Sequence, residues 1–133
     1  MDTTFETHLP VPRTRWIGRV LTALPAAFLL VDAAGKLAGV SQVTEAMQRL
    51  GIPAHLSPVI GGVLLACTAL YLVPRTALVG AIALTGYLGG AVMVHLRVED
   101  PLFTHVLFPG YIGALAWAGL LVRDPRARRA LLR

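Results

Sequence analysis

Four stretches of this chain are each long and apolar enough to cross a lipid bilayer, and that feature restricts the fold more than any other. Residues 76–96 and 101–122 run for 21 and 22 residues without Asp, Glu, Lys or Arg. Each matches the roughly 20 residues that cross a hydrocarbon core at about 1.5 Å per residue. A further 25 residues without formal charge lie between Arg49 and Arg75. There Ser57-Pro58 makes a helix start, because serine caps free N–H groups and proline loses no bond in the first turn. The second span is therefore expected from about 58 to 73, ending at Pro74. The first span is expected over 16–37, with Pro25, Asp32 and Lys36 inside it. Its Arg-rich start and apolar run over 20–31 also fit a signal peptide, but three apolar segments follow, and a retained first span suits them better.

With 56% apolar and 14% charged residues in 133, the chain is too apolar for a water-soluble domain of this size. Leu, Ala and Gly occur in blocks without the alternation of a lipid-facing strand, and backbone groups in lipid must be satisfied within the segment. The expected fold is all-α: an integral membrane four-helix bundle with a short amphipathic helix between spans one and two. That short helix covers residues 41–50, where Val43, Ala46, Met47 and Leu50 share a face and Gln42, Glu45, Gln48 and Arg49 are polar. It is too short to span and is expected to lie on the membrane surface or to roof the bundle, stopped by Gly51. Residues 1–14 are expected to form a disordered cytoplasmic tail, 15–123 the four-span domain, and 124–133 a basic cytoplasmic tail. In the last, Asp124-Pro125 opens a short surface helix attracted to anionic headgroups.

The net charge of +5 does not point to nucleic acid, because the arginines flank the apolar segments and no polar groove-reading element is left. It reads as a topology signal. Arg13, Arg15, Arg19, Arg75, Arg123, Arg126, Arg128, Arg129 and Arg133 fall on one side, and Lys36, Arg49 and Arg97 on the other. Nine against three places both termini in the cytoplasm. Rows of small residues, Gly62 with Ala66, Gly86 with Gly90, and Gly110 with Ala114 and Ala118, are expected to let helices approach closely. Spans one and three are expected to meet, antiparallel, through the Gly86 and Gly90 face.

The polar residues that topology gathers at the opposite end carry the functional question. Asp32 and Lys36 lie one helical turn apart; His95 and Arg97 close span three, Glu99 and Asp100 form the turn, and His105 opens span four. Ionisable groups within a membrane are costly unless paired, so Asp32, His95 and His105 are candidate catalytic residues. Lys36, Tyr87, Arg97, Asp100 and Trp117 are candidate substrate-binding residues. Asp32 paired with Lys36 or Arg97 also reads as an ion pair that locks the bundle. Two histidines ten residues apart do not make a metal motif. Aromatic residues beneath a polar cap suit a flat apolar ligand such as a quinone or another isoprenoid. The lone Cys67 leaves no internal disulfide.

The motifs Gly35-Lys36-Leu37, Leu50-Gly51-Ile52-Pro53 and Tyr71-Leu72-Val73-Pro74-Arg75-Thr76 form one set. Gly86-Tyr87-Leu88-Gly89-Gly90-Ala91-Val92, then His95-Leu96-Arg97 and His105-Val106-Leu107-Phe108-Pro109, form another. Together, over residues 15 to 130, they resemble the DoxX-like membrane proteins. The resemblance implies a bacterial inner-membrane protein of four helices. DoxX and DoxD relatives are associated with thiosulfate to quinone electron transfer and thiol redox defence, which implies quinone-linked chemistry and an oxidoreductase partner. A dithiol scheme is closed to this chain, since Cys67 is alone. The function expected is binding of a small apolar molecule beneath an extracytoplasmic polar layer, as a redox-linked enzyme or subunit. The alternatives are an acid/base isomerase or hydrolase, or a non-catalytic scaffold or assembly factor. Expected partners are membrane lipid, the apolar ligand and a second copy of the chain; transport ranks lowest, because the cytoplasmic half has no matching polar residues.

Overall fold

The protein is described by a computed structural model over residues 11–132. Six helices follow one another: α1 (Val11–Ala38), α2 (Ser41–Arg49), α3 (Ser57–Leu72), α4 (Ala77–Arg97), α5 (Phe108–Arg123) and α6 (Pro125–Leu131). No strand occurs among the described residues. Helix α1 takes in residues 11–14 of the stretch expected as a tail, and residues 1–10 lie outside the described part. Four segments are long and apolar enough to span a membrane: α1, the 3₁₀ turn Ala54–Leu56 with α3, α4, and the turn Leu102–Val106 with α5. The chain is a membrane protein built as a four-helix bundle, with the amphipathic α2 between its first two spans.

Three helix ends share one device. Gly39 (φ +65°) ends α1 with bonds from its own N–H to the Lys36 carbonyl and from Val40 N–H to the Gly35 carbonyl. Gly51 (φ +74°) ends α2 in the same way on Gln48 and Met47. Both satisfy carbonyls that the helix would leave free, in a left-handed conformation that costs glycine little. Helix α4 repeats the pattern on Leu96 and His95, but the left-handed residue there is Glu99 (φ +58°).

Helices α1 and α4 stand on one diagonal of the bundle, α3 and α5 on the other. Each helix of one diagonal packs against both of the other. Gly61 lets α3 approach α1: a Cβ there would lie 2.8 Å from the Lys36 Cβ and 3.1 Å from the Ala33 carbonyl. Gly119 does the same for α5 against Leu21 and Thr22 of α1. Gly80 brings α4 against the Tyr71 backbone, where a Cβ would overlap main-chain atoms. The expected meeting of spans one and three through Gly86 and Gly90 does not occur. These spans run parallel, as alternating connections require, and a Cβ at either glycine meets nothing within 4 Å. Close approach belongs to Gly61, Gly80 and Gly119 instead. Small residues recur on several faces of each span, and only the packing selects which face is used.

The fourth span is broken near its start. Val106 and Leu107 donate to carbonyls five residues back, on Pro101 and Leu102, making a π-helical turn. Pro109 lies in the first turn of α5. It offers no N–H to the His105 carbonyl and its ring crowds that carbonyl, so the chain widens before the regular helix resumes. The core runs down the bundle axis through Leu29, Ala33, Leu64, Tyr71, Ala81, Leu84, Ala116 and Leu120. At the α6 end, the Tyr71 hydroxyl donates to the Ala116 carbonyl (2.8 Å), and Arg123 donates to the Tyr71 carbonyl (2.5 Å) while lying 4.8 Å from the ring centre.

Candidate functional site

A cavity of about 510 Å³ occupies the other end of the bundle, beneath α2. Its size falls within the range of small-molecule sites. Its walls are apolar, with Leu29 from α1, Ile60 from α3, Leu88 and Val94 from α4, and Ile112 from α5. Val43, Ala46 and Met47 of α2, with Leu50 just past its end, form the roof, so the amphipathic helix turns its apolar face to the cavity; Glu45, Gln48 and Arg49 are exposed. Arg97, at the end of α4, donates to the Leu50 carbonyl at 2.5 Å and ties down the far end of the roof. Phe28 and Phe108 meet edge to face, with ring centres 5.2 Å apart, and close the wall between α1 and α5.

Ionisable groups enter this apolar space from two helices. On α1, Asp32 and Lys36 project from one face and form an ion pair. The Lys36 side chain is 12% exposed and that of Asp32 31%. Ser57 donates to the Lys36 carbonyl (2.9 Å), and the missing Cβ of Gly61 lets α3 lie beside the lysine stem. On α4, Tyr87 and His95 sit two turns apart and both line the cavity. The His95 Nδ1 lies 2.6 Å from the Asp100 carboxylate. Glu99 makes that pair by its left-handed turn, which also carries the Asp100 N–H to the His95 carbonyl. With Nδ1 held by a carboxylate, Nε2 is the nitrogen left to exchange a proton with a bound molecule.

Of the residues picked from sequence, Asp32, Lys36, Tyr87 and His95 share the cavity, and Asp100 stands directly behind His95. Arg97 is engaged with Leu50, so the partner of Asp32 is Lys36. His105 lies on the π-helical turn, exposed, with its ring centre 6.3 Å from that of His95 and Thr104 bonded to its Nδ1 at 2.8 Å; it does not line the cavity. Nor does Trp117, whose indole donates to Thr85 (2.8 Å) across the seam of α4 and α5. Among the described residues, no group of three histidine, cysteine or acidic side chains is placed to hold a metal ion.

Phe28, Gln42, Met47, Ile60 and Phe108 line the cavity without having been singled out from sequence. A signal for two of them was present. Phe28 is one turn before Asp32 on the same helix face, and Met47 belongs to the apolar face of a helix too short to span.

No curated protein and no solved structure matches this chain at significance. A family model described as the DoxX-like family matches residues 20–119. That interval runs from the first turns of the membrane part of α1 to the last turns of α5, and it contains Asp32, Lys36, Tyr87, His95 and the α2 roof. The chain belongs to the DoxX-like family.

Proposed function

We propose that the protein binds a small apolar molecule of quinone or isoprenoid character in the cavity beneath α2, with its polar end at Asp32, Lys36, Tyr87 and His95. One observation carries this reading: a cavity of about 510 Å³ is lined mostly by apolar side chains, with its ionisable groups supplied by α1 and α4. A ligand with an apolar body and one or two hydrogen-bonding oxygens matches that distribution. Lys36 and the Tyr87 hydroxyl donate to such oxygens, while Asp32 and His95 take up or return protons. Gln42 adds an amide at the roof. His105 serves the same chemistry from the exposed side of His95, relaying protons to solvent.

Chemistry of this kind suits a redox-linked enzyme or subunit in which a partner oxidoreductase supplies electrons and this chain supplies protons. The pairing of His95 with Asp100 at 2.6 Å also favours a second reading, an acid/base isomerase or hydrolase acting on the same class of molecule. Nine basic residues against three support a topology with both termini cytoplasmic and the cavity end extracytoplasmic, and the family supports placing the chain in a bacterial inner membrane.

Thermal unfolding of the purified protein in mild detergent tests the binding claim. A short-chain benzoquinone or a short isoprenoid alcohol, added in excess, should raise the midpoint in proportion to the logarithm of its concentration. The rise should vanish in Ala91→Phe, which fills the cavity from α4. No rise with either compound, or a rise unchanged by Ala91→Phe, counts against the proposal.

A further inference from the structure

The cavity is not closed on all sides, and the position of its opening says what shape of molecule it holds. Gly90 of α4 lines the cavity and is exposed. A Cβ built on it meets no atom within 4 Å, and the same is true of Gly86, one turn away along α4. The gap follows from how α3 leans. Gly61 draws α3 onto α1 at the cavity end, while Gly80 fastens it to α4 at the opposite end. Ile60 is consequently the one α3 side chain that reaches the cavity among its described lining.

Depth decides what the opening faces. Gly90 lies seven residues before the end of α4 at Arg97, which is about 10 Å along the helix axis. That level is within the hydrocarbon layer crossed by a helix of 21 residues. Acyl chains, not water, stand outside it. Lys36 and His95 each lie two residues before the ends of their helices, at Ala38 and Arg97, nearer to the α2 side than Gly90, and Asp32 pairs with Lys36 from one turn deeper.

We infer that the ligand is a long-tailed amphiphile that is admitted laterally from the bilayer at Gly90, with its head at the Asp32–Lys36 and His95 groups and its tail left in the lipid. This rests on the proposed function and narrows it: the cavity is a headgroup chamber, and the tail need not fit inside. Glycine at position 90 keeps the sill low, and any larger side chain there projects into the path of the tail. A Cβ there meets no atom within 4 Å, so a side chain at position 90 starts from open space.

The test uses a thiol reporter on the roof. Ala46→Cys is made in a Cys67→Ala background, and the full chain is reconstituted in mixed phosphatidylethanolamine and phosphatidylglycerol vesicles. Two probes are compared. N-hexadecylmaleimide carries its reactive head on a lipid tail, and N-ethylmaleimide is small and arrives from water. With Gly90 in place both should react. Gly90→Phe should slow the hexadecyl probe by about tenfold or more, as a side chain across the path raises the barrier to admission, and leave the ethyl probe unchanged. Gly90→Leu should give a smaller effect in the same direction. Equal rates for the hexadecyl probe in all three proteins would overturn lateral admission at Gly90 while leaving the cavity's ligand class intact. Equal slowing of both probes would show that position 90 fills the chamber instead of guarding it, which also overturns the inference. Failure of the hexadecyl probe to react even with Gly90 present, when the ethyl probe does react, would overturn the long-tailed ligand while leaving binding of a short apolar molecule to the thermal-unfolding test.

Discussion

His95 and Asp100 are held 2.6 Å apart by a residue that belongs to neither, because Glu99 between them adopts a left-handed backbone. A non-glycine residue in that region carries a steric cost of about 1 kcal/mol or more. The cost is offset locally by the two helix-end bonds onto Leu96 and His95 that the turn allows. Strain of this kind beside His95, which lines the cavity, ties backbone geometry to the proposed proton chemistry.

Glu99→Gly should therefore be tolerated, with stability equal to or up to about 1 kcal/mol above the parent, since glycine enters the left-handed region freely. Glu99→Val should cost about 1–2 kcal/mol, because a β-branched side chain resists that conformation most. Unfolding of the purified protein in detergent measures both, and equal effects of the two substitutions would show that the turn is not strained.

The roof depends on Arg97. Its bond to the Leu50 carbonyl is exposed, so Arg97→Ala should lower global stability by no more than about 1 kcal/mol. Local opening should respond far more. Amide hydrogen exchange across Ser41–Arg49 is expected to speed up while exchange in the middle of α4 stays as it was. Unchanged exchange in α2 would mean that the apolar face alone keeps the roof closed.

Glycines divide into those that packing uses and those it leaves open. Gly61→Val places atoms where Lys36 and Ala33 already are and should destabilise the bundle by about 2–3 kcal/mol. Gly86→Ala meets nothing and should be neutral or stabilising by up to about 1 kcal/mol through helix propensity. A comparison of unfolding midpoints in detergent decides it, and the reverse order would mean that α4 meets another helix through the Gly86 face.

The fold was legible where a span's boundary is written in its own residues. Pro58, Gly51, Pro74 and the Asp124-Pro125 cap all act within one turn of themselves, and Asp124 indeed accepts from the Arg126 N–H at 2.8 Å, whereas Ser57 does not cap α3 as expected, because its hydroxyl donates to the Lys36 carbonyl instead. The direction in which a span faces was not legible. Helices α3, α4 and α5 are apolar all round, so no polar stripe tells the lipid side from the core side. That is why the close-packing glycines were misassigned, and why the position of Trp117, in the α4 and α5 seam, did not follow from its spacing. Asp32 and Lys36 could be read as a pair because one helix sets their separation. Arg97 could not be assigned a partner, because Leu50 is 47 residues away and only the roof brings it near.

The Asp32–Lys36 pair is a locking interaction, a ligand site, or both, and two substitutions separate these roles. Asp32→Ala leaves the mostly buried Lys36 ammonium without its partner and should cost about 2–4 kcal/mol. Asp32→Asn with Lys36→Met removes both charges and should recover stability to within about 1 kcal/mol of the parent. Ligand-dependent stabilisation should be lost in that double variant although the fold is restored. If it persists, the pair only locks the bundle.

The central claim is that one apolar molecule occupies the cavity beneath α2, and native mass spectrometry of the protein released from its own membrane in mild detergent tests it most directly. The account predicts a single species of defined mass bound one to one to the parent protein. It should be absent from Ala91→Phe, whose side chain takes its place, and retained by Gly86→Ala, which alters α4 outside the cavity lining. A parent protein that carries no such species, or an adduct that survives unchanged in Ala91→Phe, would contradict the claim.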